Sequence, residues 1–231
     1  MSMEKVDVCI VTRDNKIPEG WVYIPVNTVI VENIKPVGLA RQKCISKVTT
    51  PIFAFIDDDI IVDKYWFSML YQFIKDENVG AVWGITTNKG YGWFSKYTYD
   101  SMILKELKLG ERFNTSNCLI KTELVKNWIP SYGLNCYEDL DIGNFIMRQH
   151  KKILFVPSTA IHNKGWKETK RSAEWAGYRF KEAYKDVRKE YIKRIISPFK
   201  ALILRGLPSA IYISYRNFYF IMGMVKRELK R

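Results

Sequence analysis

Ile52-Phe53-Ala54-Phe55-Ile56-Asp57-Asp58-Asp59 decides how the chain is to be read. Five apolar residues in a row, β-branched or aromatic but for one alanine, predict a strand buried on both faces, as strands of a parallel sheet are. Three aspartates follow without a break. In open α/β sheets ligands collect at the carboxyl ends of the strands, so these carboxylates stand where a site is expected. Three adjacent anions repel one another unless a cation or hydrogen-bond donors hold them. If extended geometry persists past Ile56, Asp57 and Asp59 point to the same side, which suits a hard divalent metal carrying phosphate oxygens. Taken alone, such a triplet is more often a solvated turn or a helix cap.

Outward from this stretch, strand and helix signals alternate. Upstream, Val6 to Thr12 is a second continuous β-branched run, bounded by Arg13-Asp14-Asn15. Short runs follow at Trp21 to Val26 and Thr28 to Glu32, and a helical stretch from Val37 to Val48 leads through Thr49-Thr50-Pro51. Downstream, Asp63 to Phe73 has the period of an amphipathic helix and Gly80 to Ile85 reads as a strand. Gly90 to Asn114 has no clear period and reads as a loop. Ser116 to Ile120 is strand-like, Glu138 to His150 helical, and Ile153 to Val156 a strand that Pro157 is expected to end. This order predicts an α/β fold with a mainly parallel sheet flanked by helices.

The chain has 231 residues, 47% apolar and 26% charged, with 13 Gly and 8 Pro, which excludes disorder, collagen and coiled coil. Its net charge of +13 is unevenly placed. The first 163 residues carry 19 basic against 18 acidic side chains, and the last 68 carry 18 against 6. In that last part Trp175, Tyr178, Tyr184, Val187, Tyr191 and Ile195 keep helical spacing, with Lys181, Lys185, Arg188, Lys189 and Lys193 between them. This predicts a basic amphipathic helical tail that meets an anionic partner. Gly206 to Val225 holds 20 residues with one charge, Arg216. A central Arg costs about 2.5–3.5 kcal/mol in a spanning helix, so a helix lying in the membrane interface is the expectation.

Cys9, Cys44, Cys118 and Cys136 are spaced like neither a zinc site nor a disulfide framework, and the first residues do not read as a secretory signal. A cytoplasmic location is expected, peripheral on the cytoplasmic face of a membrane.

Two further features carry possible chemistry. Tyr137-Glu138-Asp139-Leu140-Asp141 opens a helix, where acids serve as ordinary caps. His162 follows Val156-Pro157-Ser158-Thr159-Ala160-Ile161; an imidazole can complete a metal site built mainly from carboxylates and phosphate.

In register, these pieces resemble a known family. Gly38-Leu39-Ala40-Arg41-Gln42-Lys43-Cys44 followed by Ala54 to Asp59 resembles the GLAxARN…FLDDD signature of the family-two, GT-A-fold inverting glycosyltransferases. Asn117 to Leu124 is similar to their acceptor-side strand and helix. Glu138 to Gly143, through Val156-Pro157 to His162, resembles their ED motif, its helix and the strand ending in His. The resemblance covers residues 6–165 and implies a catalytic domain over 1–165. Its nucleotide-sugar half would span about 1–88 and its acceptor half about 89–165, with the tail at 166–231.

Carried over, the resemblance implies that Asp57 and Asp59 form a D-x-D element holding Mn2+ or Mg2+, with His162 a further metal or pyrophosphate ligand. Asp58 lies near the ribose. Thr12, Arg13 and Arg41 line the nucleotide, and Glu32 is the residue left to read the base. Asp139 is the general base, with Glu138 the second candidate. The donor is a UDP- or GDP-sugar, and the acceptor a lipid-linked or other glycan acceptor at an anionic membrane surface. Transfer is in line and inverting, of one sugar, since the Q-x-x-R-W element of processive synthases is missing after His162.

Two other readings are weaker. A sugar-phosphate nucleotidyltransferase wants a glycine-rich phosphate loop after the first strand, and Arg13-Asp14-Asn15-Lys16 is not one. A nucleic-acid-binding protein using the basic aromatic tail fits the charge but leaves Asp57 to Asp59 and Glu138-Asp139 unexplained.

Overall fold

The computed structural model describes residues 6–12, 26–97, 113–131, 136–182 and 186–229. The chain divides into two compact units, one of residues 1–87 and 100–162, the other of residues 88–99 and 163–231.

The first unit contains β1 (Val6–Thr12), β2 (Val26–Glu32), α1 (Val37–Ile45), β3 (Ile52–Ile56), β4 (Ile60–Val62), α2 (Trp66–Ile74), most of β5 (Val79–Gly90), β6 (Asn117–Lys121), α3 (Thr122–Val125), α4 (Glu138–Met147) and most of β7 (Lys152–Gly165). The seven strands make one sheet in the order β2-β1-β3-β6-β5-β7-β4. The expected mainly parallel sheet is corrected to a mixed one. β1 pairs in parallel with β2 and β3, but β6 runs antiparallel to both β3 and β5, and β4 antiparallel to β7.

The double burial read from the apolar runs is observed. Val8, Ile10, Ala54, Ile56, Val82 and Leu119 go to one core with Trp66, Leu70 and Ile74 of α2. Their neighbours Cys9, Phe53, Phe55, Ala81, Trp83, Cys118 and Ile120 go to the other, with Ala40 and Cys44 of α1 and Ile142 and Ile146 of α4. Successive strand residues face opposite sides, so a sheet covered twice needs unbroken apolar runs.

Buried Asp7 ties β1 to the turn before β3: its carboxylate accepts from the Thr49 amide at 2.5 Å, the Thr49 hydroxyl at 3.0 Å and the Thr50 amide at 3.1 Å. β7 does not stop at Pro157. Its pairing with β4 covers only Ala160 to His162, so the missing proline N–H breaks no bond of that ladder.

The second unit is helical. Its helices are α5 (Trp166–Arg179), α6 (Val187–Arg205) and α7 (Leu207–Leu229). The helical spacing read from Trp175 to Ile195 is therefore shared by two helices, and the new start at Val187 is capped by Asp186, whose Oδ1 accepts from the Lys189 amide at 2.9 Å. α7 packs along both α5 and α6. At its crossing with α5, Gly177 faces the Phe220 carbonyl and Gly223 faces the Glu174 carbonyl with no room for a Cβ. Tyr91 stacks edge-on against Trp166 and Tyr212, at centroid distances of 5.1 and 5.5 Å, and its hydroxyl bonds that of Thr169. No described helix is long and apolar enough to cross a membrane.

Between α6 and α7 the contact is polar for a reason in the sequence. Pro198 lies inside α6 and has no N–H for the carbonyl of Arg194, one turn before it. Asn217 of α7 supplies the donor: its Nδ2 lies 2.7 Å from the Arg194 carbonyl and 2.7 Å from Ser197 Oγ. Arg194 in turn reaches Glu190 Oε1 at 2.8 Å through Nε and covers the Phe220 ring at 4.0 Å. Asn217→Leu, close in volume, is expected to cost about 1–3 kcal/mol by taking away that carbonyl's nearer donor and leaving it only the Ser197 hydroxyl at 3.4 Å. In a Pro198→Ala background the amide returns and the cost is expected to shrink. Guanidinium unfolding of the four proteins of this double-mutant cycle checks it; equal costs in both backgrounds would refute the pairing.

Candidate functional site

The site is built at the end of β3. The Asp57 amide still donates to the Ser116 carbonyl, 3.1 Å away, continuing the β3–β6 ladder. The chain then turns: the Ile60 amide donates to the Asp57 carbonyl at 3.1 Å, which puts Asp58 and Asp59 in the bend. Extended geometry does not persist, and Asp57 and Asp59 go to different partners.

Asp57 Oδ1 takes Arg41 Nη2 at 2.9 Å. Arg41, on α1 and 4% exposed, also sends Nε towards Glu138 Oε1 at 3.3 Å and lies over the Phe55 ring at 4.9 Å. Burial on its own would loosen the guanidinium's hold on its proton, but the charges of Asp57 and Glu138 outweigh burial and hold it more tightly than usual. The residue expected to line the nucleotide thus joins two carboxylates from β3 and α4. Asp59 Oδ2 lies 2.8 Å from His162 Nε2. The register explains the meeting, because Ile60, next to Asp59, is opposite His162 in the β4–β7 pair.

α4 opens on Tyr137, a non-glycine residue at φ 70 and ψ 13, followed by three acids that the structure separates by role. Asp141 accepts from Trp128 Nε1 at 3.0 Å and from the amide and hydroxyl of Ser131 at 3.1 and 2.9 Å, so it anchors the residues after α3. Glu138 belongs to Arg41. Asp139 accepts the Leu140 amide at 2.8 Å and is pushed up to about 7, by burial first and then by the negative charge of Glu138. The positive end of the helix does not offset that burial.

Thr12, buried at the end of β1, lies opposite Glu32 at the end of β2, and its carbonyl takes the Asn33 amide at 3.2 Å. Asp58 is partly buried in the turn. Arg13 lies outside the described residues.

Among the described residues no group of three or more His, Cys, Asp or Glu side chains is placed to hold a metal. The D-x-D pair is therefore not a preformed ligand set. Asp59 with His162 is a two-donor site, and Asp59 is about half exposed, open to a ligand. Magnesium-type sites use one or two carboxylates and complete themselves with phosphate oxygens and water, so the donor set fits a hard divalent ion that arrives with a diphosphate.

One residue at the site went unsingled by sequence. Asn117, fully buried opposite Ile56, accepts from the Gly84 amide at 2.9 Å and Trp66 Nε1 at 3.2 Å, and donates to Thr86 Oγ1 at 2.9 Å and the Gly84 carbonyl at 3.2 Å. It uses its whole amide to hold β5 and α2 beside the end of β3. A lone amide opening an apolar strand is the signal that could have found it.

The fold has a counterpart among solved structures. A mannosyltransferase from Pyrobaculum calidifontis, solved with GDP-Man and Mn2+, is similar over 98% of this chain and 87% of its own, with a TM-score of 0.58 at 13% identity. The glucosyl-3-phosphoglycerate synthase of Mycobacterium tuberculosis, solved with phosphoglyceric acid, covers 69% of this chain and 72% of its own, with a TM-score of 0.47 at 14% identity. No curated protein sequence matches the chain. The model described as glycosyl transferase family 2 matches residues 24–128, from β2 through β3 and the acidic turn to the end of β6 and α3. Residues 24–128 thus match glycosyl transferase family 2, inside a sheet whose fold is shared with the Pyrobaculum enzyme.

Proposed function

We propose that the chain moves a single sugar, with inversion, from a nucleotide-diphosphate sugar to a hydroxyl of a lipid-linked or other membrane-associated acceptor, working on the cytoplasmic face of a membrane with Mn2+ or Mg2+. The observation that carries the reading is the pair of separate acidic sites at the end of β3, Asp59 with His162 and Asp139 with Glu138, with Arg41 between Asp57 and Glu138. Sugar transfer needs two such sites with different duties, because the leaving diphosphate must be held and the attacking hydroxyl must lose a proton.

Asp59 and His162 are the residues that would hold the metal, which supplies positive charge for the diphosphate oxygens. Asp139 takes the acceptor proton. With its carboxyl poised near 7, it is a far stronger base than an ordinary aspartate yet still ionised in useful amounts at neutral pH. Arg41 is one positive charge shared by Asp57 and Glu138, so a net negative charge remains beside Asp139 and helps to keep its carboxyl up. The GDP-Man and Mn2+ bound by the Pyrobaculum mannosyltransferase make GDP-mannose the first donor to try, with UDP-sugars beside it.

Calorimetric titration of GDP, UDP and their sugars, with and without Mn2+, tests the reading on the wild type and Asp59→Ala. Metal-dependent binding of one nucleotide, weakened at least about tenfold in the variant, is expected. Binding that is equal without metal and in Asp59→Ala would overturn it.

A further inference from the structure

Helix α6 is inside out. Its side towards α7 carries Glu190, Arg194, Ser197 and Ala201, and Glu190 is only 5% exposed. At 100° per residue the opposite side carries Ile192, Ile195, Ile196, Phe199 and Ile203. All five are exposed, Phe199 to 64% and Ile203 to 82%, and Leu207 beyond the helix to 62%. A helix of a water-facing unit shows the reverse pattern. The inversion is held by bonds to α7, since the carbonyl freed by Pro198 meets Asn217 Nδ2 and Arg194 Nη1 reaches Asn217 Oδ1 at 3.4 Å. Those bonds leave the apolar stripe only one direction in which to point.

The charge beside the stripe selects what covers it. Lys189, Lys193 and Lys200, all exposed, run along one flank. Residues 164–231 hold 18 basic against 6 acidic side chains, so burying the stripe against a second copy would bring two strongly cationic surfaces together. An anionic lipid surface takes both features at once, acyl chains for the stripe and phosphates for the lysines.

We propose that α6 lies flat in the interface of an anionic bilayer. Ile192, Ile195, Ile196, Phe199 and Ile203 sit at the acyl boundary, with Lys189, Lys193 and Lys200 against the lipid phosphates. This deepens the reading of a membrane-borne acceptor and rests on it for its purpose. It adds α6 to the Gly206 to Val225 segment as a docking element: α7 buries Ala210, Ile213, Asn217, Phe220 and Met224 but leaves Ile211, Phe218, Met222 and Val225 exposed.

The test is co-sedimentation of the full chain with vesicles of phosphatidylcholine alone and of phosphatidylcholine with phosphatidylglycerol. Phe199→Ser/Ile203→Ser is run beside the wild type, with unfolding curves and nucleotide titration on the same samples. The wild type is expected to bind the anionic vesicles. The double variant, altered only on the exposed face, is expected to lose at least tenfold in partitioning while melting and nucleotide binding stay unchanged. Unchanged partitioning in the variant would overturn the proposal, since headgroup charge alone would then explain binding. So would a wild type that ignores vesicles and instead forms a dimer dissolved by Ile203→Ser, or that ignores vesicles and binds single-stranded RNA. Metal-dependent nucleotide binding that survives alongside such a result would show that the docking surface failed and the sugar-transfer reading did not.

Discussion

Asparagine in place of Asp139 is expected to reduce sugar transfer by about two to four orders of magnitude and, in the same protein, to raise its melting temperature above pH 7. Both effects come from one cause. Burial and Glu138 push the Asp139 carboxyl from its ordinary 3.8 to about 7, so the fold tolerates the proton and resists the charge. Below about pH 4 the group is protonated whether the chain is folded or not, and wild type and variant are expected to melt together. As pH rises from about 4 to about 7 the unfolded chain releases this proton while the folded wild type still holds it, so this component of stability is lost progressively and is gone above 7. The uncharged variant loses nothing there, and the gap is expected to reach about 1–2 kcal/mol by pH 8, a few degrees in melting temperature. Wild-type turnover is expected to rise with pH through about 7, as a base that must be ionised requires. A melting difference that does not change between pH 4 and pH 8 would refute the buried-base assignment, and full activity in Asp139→Asn would remove Asp139 from the chemistry.

The second large effect belongs to the crossing of α5 and α7. A methyl group at Gly177 would overlap the Phe220 carbonyl, and one at Gly223 the Glu174 carbonyl. These obstacles are backbone, which cannot swing aside as a side chain end can. Gly177→Ala or Gly223→Ala is therefore expected to force the helices apart at a cost above about 3 kcal/mol, beyond ordinary overpacking. Phe220, Met224 and Phe180 would lose their shared core in the process. Gly92 is the contrast: it has open space around it but a φ of +59, so Gly92→Ala is expected to cost only about 1–2 kcal/mol of backbone strain. Amide hydrogen exchange across α5, α6 and α7 reads the difference. Protection of α7 that survives Gly223→Ala would show that the helices do not depend on this approach.

What could be read in advance was local. β1 and β3 declared themselves through unbroken apolar runs, and the acids at the end of β3 through their position alone. Helix α4 announced itself by its acidic first turn. Strand direction is not a local property, and nothing within Asn117 to Lys121 says that β6 runs against β3. The bend at Asp58-Asp59 was hidden because β4 resumes at once with Ile60-Ile61-Val62, so the stretch looks extended on both sides. The end of α5 and start of α6 are hidden in the sequence because the aromatic period continues across them, and Asp186 is the one local mark of the new start. Arg41 was singled out but not for what it touches. Its two carboxylates lie 16 and 97 residues away, and only the folded chain brings them together.

Helix α7 supplies one side of both tight contacts in the second unit, the glycine crossing with α5 and the Asn217 bonds to α6. On the ribosome it is made after both of its partners. At about 5–20 residues per second, the 23 residues from Leu207 to Leu229 take about a second or more to appear, far longer than helices need to form. For that interval α6 has emerged with the polar side that α7 will cover still unsatisfied, beside an apolar stripe that α7 does not cover, and nascent chains in that condition stick to one another. The yield of soluble protein is then governed by how quickly translation reaches α7 rather than by the stability of the finished fold. Slowing synthesis between the codons of α6 and α7 is the change to which such a chain is most vulnerable.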